Sequence, residues 1–216
     1  WVAGLTLPIL LTAHWLMRKD STGGEKLFRV LAGINIALLF VIMFSAVQRM
    51  LLYSGNLGYG LTTMRLYPTA FILWLALVFL WFGATVLRGQ PKSFAWGALW
   101  TALLVVGGLH VLNPDDLIVR HNVKLMEQGR QFDAWYNSSL SDDSIPALAE
   151  ALPKMSFENQ CIVKNDIIEN LNEDKTSDFR KFNFARWKAR QTLLDYEGSF
   201  DTEGCSKDTK KVFVIY

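Results

Sequence analysis

The sequence predicts an all-α membrane protein: a polytopic bundle of transmembrane helices, four in this chain, followed by a small, mostly helical extramembrane tail. Three observations carry that expectation. Long apolar runs recur through residues 1–112, each close to the ~20 residues needed to cross a hydrocarbon layer. Charge is partitioned, with eight Lys/Arg and two acidic residues in 1–112 against fourteen and eighteen in 113–216. Apolar residues in the second half recur at helical rather than alternating spacing.

The first span covers residues 1–17 and stops at Arg18-Lys19-Asp20. The second runs over 28–53, with Asn35 as the one strongly polar side chain well inside it. An amide at that depth is expected to make an interhelical hydrogen bond. The third, 67–87, and the fourth, 94–112, contain no charged residue. Ala98, Ala102, Gly107 and Gly108 leave small surfaces on the fourth helix against which a neighbour can pack. Trp74, Trp81, Trp96 and Trp100 read as lipid-contact or interfacial residues that need no bound pigment.

Chain direction follows from the short loops. Arg18, Lys19, Lys26 and Arg29 flank the first, and Arg88 and Lys92 occupy the third. Both loops lie on one side, so the positive-inside bias puts them in the cytoplasm and residues 113–216 outside it. Trp1 already lies in an apolar run, with no basic n-region or cleavage site before it. The chain is therefore expected to begin partway through a longer protein, with further spans upstream.

His14 and His110 are the only histidines in the spans, which raises shared haem ligation. They lie near opposite ends of their helices, on the order of 20 Å apart in depth, so one iron cannot take both. Packed or interfacial roles are expected instead. In Tyr59–Pro68, Gly60 suits a turn, Thr62 or Thr63 a helix cap, and Pro68 a first helical turn. Arg65 then sits at the outer interface, either reaching lipid phosphate or pairing with Asp115 or Asp116 beyond the fourth span. In Asn113-Pro114-Asp115-Asp116 the pattern is N-cap, Pro at N1 and acids facing the positive end of the helix dipole. That assignment accounts for the aspartates without a metal, the sharper alternative being a site of Asp115, Asp116 and His121.

The tail reads as helices over 114 onward, 141–152, 156–172 and 178–196, with strand character in 211–216. Leu117, Ile118, Leu125 and Met126 supply an apolar face to the first of them. The last is basic, with Phe179, Phe184 and Trp187 interleaved, and is read as a solvated helix with one core-facing side. Docking on a membrane surface is the alternative. Cys161 and Cys205 are the only cysteines, too few for a Cys-rich zinc site and without C-x-x-C spacing. They are either two unrelated thiols or one disulfide, the latter requiring a tail outside the cytoplasm.

Four segments in order, YGLTTMRLY (59–67), NPDDLIVRHN (113–122), LSDDSIPALAEALP (140–153) and DFRKFNFARWKAR (178–190), resemble a bacterial polytopic membrane family of unknown function, the domain-of-unknown-function 4153/4173 group. Residues 1–58 resemble it in hydropathy only. The resemblance implies placement in the bacterial inner membrane and additional upstream spans, and it carries over no catalytic residue.

No phosphate loop, H-E-x-x-H or G-x-S-x-G motif occurs, and the charge pattern lacks the concentrated basic excess of a nucleic-acid footprint. No catalytic, cofactor or metal residue is assigned. The expected role is a structural or accessory subunit, with the lipid bilayer and other membrane protein subunits as partners. A component of a transporter or membrane sensor is the alternative, although the third and fourth spans carry no midplane ionisable group and no broken helix. A membrane enzyme ranks third.

Overall fold

A computed structural model describes residues 2–16, 22–54, 60–173, 184–195 and Cys205. Among them every regular element is helical. The chain divides into two compact units: 1–53 with 64–111, and 54–63 with 112–216. The division is not a single cut after the last span, because the segment joining the second and third apolar helices belongs with the tail.

The first unit holds α1 (Val2–Leu16), most of α2 (Thr22–Ser54) and α3 (Thr63–Thr85), and α4 (Phe94–Leu112). Three segments are long and apolar enough to cross a membrane: Gly23–Ser54, Thr63–Thr85 and Pro91–Leu112. α1 is apolar but only 15 residues long, about 22 Å at 1.5 Å per residue. α2 and α3 begin earlier than the apolar runs because polar first turns, Thr22–Glu25 and Thr63–Arg65, continue the helical ladder beyond the apolar stretch. Pro68 therefore lies in the second turn of α3, not the first. Its ring cannot donate an N–H, and in the next position Thr69 Oγ1 donates to the Arg65 carbonyl at 2.7 Å.

Ala32, Ile36, Leu39 and Met43, spaced four-three-four along α2, form one buried stripe. It packs in a cluster with Leu75, Val78, Phe79, Phe82 and Val86. Phe82 meets Phe94 edge to face with centroids 5.6 Å apart. α3 turns into α4 through Gly89, whose φ of 84° is left-handed, and a 3-10 turn over Pro91–Ser93. Trp81 Nε1 donates to the Ser93 carbonyl at 3.3 Å, so this indole is spent on the hairpin and not on lipid alone. The ring covers Gly97 so closely that a Cβ there would lie 1.9 Å from Nε1.

The second unit contains α5 (Pro114–Glu127), α6 (Ala134–Ser138), α7 (Ile145–Ala151), α8 (Phe157–Glu173) and α9 (Phe184–Asp195). Its core gathers Val119 and Val123 of α5, Leu148 of α7, Val163 and Ile167 of α8, and Ala189 of α9. The α5 face differs from expectation at Leu117, which is exposed, while Ile118 and Val119 are fully buried. Residues 141–154 do not form one helix. Pro146 and Pro153 each sit in a first turn, and α7 is flanked by 3-10 turns at Asp142–Ser144 and Leu152–Lys154. Missing N–H groups at those prolines explain the segmentation. The sequence shows no clear signal for α6, which Asp133 caps by accepting from the Tyr136 N–H at 2.9 Å. The expected strand at 211–216 lies outside the described residues, as does Phe179.

Candidate functional site

Residues 60–63 of one segment singled out by pattern meet residues of the other, 113–122, inside the second unit. Asn122 lies on the inner side of α5, 7% exposed. Its Oδ1 accepts from the Leu61 N–H at 2.7 Å, and its Nδ2 donates to the Leu61 carbonyl at 3.0 Å. The side-chain amide thus pairs with both backbone groups of one residue, as a neighbouring strand would. Nδ2 also donates to Asn137 Oδ1 at 2.9 Å, and Asn137 Nδ2 donates to the Asp133 carbonyl at 2.7 Å. Buried amides are tolerated only when so paired.

Tyr136 extends the clasp. Its hydroxyl accepts from the Thr63 N–H at 2.7 Å and donates to Thr63 Oγ1 at 3.3 Å. The first of these satisfies one of the unpaired N–H groups at the start of α3. His121 Nε2 stands 3.2 Å from the Ser54 carbonyl at the end of α2, so that nitrogen carries the proton in this contact. Gly60 adopts φ 74° against Asn122. One side of α5 and α6 therefore holds both ends of the α2–α3 connection.

The other expected residues have separate assignments. Asn113 is the N-cap of α5 by position, but its φ of 46° is left-handed and its side chain makes no capping bond. Pro114 occupies the first turn as expected, and the Leu117 N–H reaches the Asn113 carbonyl at 3.0 Å. Asp115 accepts from the Ser141 backbone N–H at 3.2 Å and from its hydroxyl. Asp116 accepts from Arg120 Nε at 2.9 Å, and Arg120 reaches Glu150 with its other arm at 3.0 Å. These contacts, the Asp116 hydrogen bond first and then Glu150, hold the guanidinium pKa above its already high ordinary value. Arg65 lies in the first unit and the aspartates in the second. With Asp115 on Ser141, Asp116 on Arg120 and His121 on Ser54, the three candidate metal ligands each have a protein partner. Among the described residues no group of three or more His, Cys, Asp or Glu side chains is placed to hold a metal.

Asn35 is exposed on α2 and makes no hydrogen bond among the described residues. His14 packs its ring on Phe28 at 5.5 Å, and His110 Nδ1 lies 3.2 Å from the Val106 carbonyl of its own helix. Cys161 and Cys205 are bonded, with Cα atoms 5.4 Å apart. On α9, Ala189 is fully buried, whereas Phe184 and Trp187 stack on one another in the open.

A groove of about 310 Å³ runs between α5 and α7, floored by Val123, Ala147 and Ala151. Its rim charges are already paired, Arg120 with Glu150 and Lys154 with Glu127 at 2.7 Å. Sequence reasoning missed the Asn122–Asn137–Tyr136 clasp. The residues stood in view inside a noted motif, but nothing local says that an amide at 122 will find a backbone 61 residues earlier.

Three helices long and apolar enough to cross a membrane mark an all-α membrane protein. More particularly, the chain belongs to the family described as domain of unknown function (DUF4153), whose model matches residues 1–151. The match includes residues 1–58, where only hydropathy pointed to the family, and ends with α7. It contains every residue of the clasp and leaves α8, α9 and the disulfide outside. No curated protein and no solved structure matches the chain.

Proposed function

We propose that the chain is a structural or accessory subunit of a membrane assembly in the bacterial inner membrane, with residues 113–216 outside the cytoplasm. The clasp at Asn122 is the observation that carries the reading. It commits the buried amides of α5 and α6 to holding the backbone at Leu61, so that residues 60–63 and these two helices present one surface. Surfaces pinned in this way suit docking of a partner subunit, because little ordering cost remains to be met on binding. The six basic residues of the two short loops support the orientation, as does a bonded cysteine pair in the tail.

The test is purification from native membranes after mild crosslinking, comparing the wild-type chain with Asn122→Ala. The expected result is a fixed set of membrane subunits in constant ratio with the wild type, reduced in the variant although the chain still inserts. A wild-type chain that purifies with lipid alone overturns the reading.

A further inference from the structure

We propose that the outer side of α9 is a lipid-docking ridge, through which Phe184 and Trp187 enter the headgroup region of a bilayer that carries anionic phospholipid. A helix that is simply solvated on one side keeps its large apolar residues on the other, and α9 does the reverse. Among its described residues the one fully buried side chain is Ala189, whereas Phe184 and Trp187 are 66% and 49% exposed. The two rings stack with centroids 5.7 Å apart. Helical geometry sets them about 140–160° around α9 from Ala189. Gln191, also exposed, falls between them on the same strip.

The charges beside the ridge select its occupant. Lys188 and Arg190 stand about 100° from Ala189 on opposite sides, one along each margin of the aromatic strip. Both are exposed. With Arg186, α9 carries three basic residues against one acid, Asp195 at its last position. An apolar strip with cations on both margins is the pattern of a helix lying in a membrane interface. The rings reach the boundary of headgroup and acyl chain, and the long basic stems bend outward to phosphate. A protein surface matches this less well, since protein interfaces are depleted in lysine. Lipid is also the partner already at hand. The chain passes between the second unit and the membrane helices of the first at residues 53–54, 63–64 and 111–112, so the bilayer is tethered to the ridge and its effective concentration is high.

The inference goes beyond the accessory-subunit reading and does not depend on it. Its test contains no other subunit, so loss of copurifying proteins after a change at Asn122 leaves it untouched.

The experiment uses the full chain in nanodiscs of phosphatidylcholine alone or of phosphatidylcholine mixed with phosphatidylglycerol. A nitroxide is attached at Gln191→Cys, on the ridge, the native cysteines being bonded to one another. Collisions with oxygen, which concentrates in lipid, and with a water-soluble nickel chelate report where the label lies. In the mixed bilayer the nickel rate should fall roughly threefold relative to phosphatidylcholine alone, and the oxygen rate should rise. Lys188→Glu or added salt should return the label toward water. Phe184→Ser/Trp187→Ser should do the same without lowering the thermal midpoint, because both rings face away from the core. A label that stays in water in both bilayers overturns the proposal. Equal immersion in the two bilayers also overturns it, since the basic margins would then play no part. A label shielded from both reagents whatever the lipid overturns it as well, and assigns the ridge to protein, either another part of this chain or a different subunit.

Discussion

The backbone of Gly60 lies so close to the side chain of Asn122 that a Cβ on residue 60 would stand 2.7 Å from Oδ1. Gly60 also holds φ at 74°, where an L side chain costs about 1–2 kcal/mol. Gly129 offers a comparison, with φ 81° and open space around its would-be Cβ. Gly60→Ala is therefore expected to lower the thermal midpoint in nanodiscs more than Gly129→Ala does. Equal losses would mean that Asn122 moves aside freely and the clasp is loose.

Replacing Asn122 separates its two roles. Asn122→Ala removes the partner of the Leu61 N–H, the Leu61 carbonyl and Asn137 Oδ1 together. A buried polar group left unsatisfied costs about 1–3 kcal/mol, so a loss of several kcal/mol in the second unit is expected. Asn122→Asp keeps an acceptor for the Leu61 N–H but turns a donor into a charge facing two acceptors. Hydrogen exchange at Leu61 should accelerate in the alanine variant and stay slow in the aspartate variant, although both melt earlier. Fast exchange in both would show that the Leu61 amide is held by something else.

Trp81 and Gly97 make a similar pair within the membrane half. An added methyl at residue 97 meets the indole at 1.9 Å, which forces the ring off its bond to the Ser93 carbonyl. Gly97→Ala should destabilise the wild-type chain strongly and the Trp81→Ala chain hardly at all. A double-mutant cycle reads this coupling directly. An equal effect of Gly97→Ala in both backgrounds would remove Trp81 from the explanation.

What was legible in advance divides along physical lines. Length and hydropathy specify helices 2 to 4 because the requirement to span hydrocarbon is a one-dimensional constraint. Helix ends were less accurate: polar first turns such as Thr63–Arg65 continue a helix that the apolar pattern cannot see. The segmentation of 141–154 was partly written in Pro146 and Pro153, and reading through the first of them produced one helix too long. The clasp was not legible, since Asn122, Asn137 and Tyr136 carry no periodic signal and their partner is backbone. Asp115 and Asp116 were visible as a helix start, but their bonds to Ser141 and Arg120 depend on how the tail folds back.

Lys154 gives a pH-dependent test of the α5–α7 edge. Its hydrogen bond to Glu127, then the Glu127 charge and more weakly that of Glu150, hold the ammonium pKa above the ordinary lysine value. A folded-state pKa raised above the unfolded one, about 10.4, contributes stability that is fully present below the unfolded value. That contribution is lost as pH rises through the folded value. Glu127→Gln should therefore return the Lys154 pKa toward the ordinary range, as followed by NMR of the Nζ-adjacent methylene. Its small destabilisation should be constant from neutral pH to the onset of lysine titration and shrink above it. An unchanged Lys154 titration in Glu127→Gln would assign the upward shift to other charges.

The bond between Cys161 and Cys205 links residues 44 apart and encloses α9, whose Ala189 is part of the core. In the loop-entropy account a closure of that length is worth about 4 kcal/mol. The Cys161→Ser/Cys205→Ser chain should accordingly melt earlier in its second unit and lose protection in α9 before α5. The same bond tests orientation. A membrane-impermeant maleimide applied to intact cells should fail to label the wild-type chain, because both thiols are consumed. Pretreatment with an impermeant phosphine reductant should expose both to the label without breaching the membrane, placing residues 113–216 outside the cytoplasm. Labelling that requires permeabilised cells would reverse the orientation and remove the oxidising environment on which the bond depends. Labelling of intact cells without reductant would keep the orientation but show that the thiols stay free in the cell, and the stability difference between the wild-type and doubly substituted chains should then vanish.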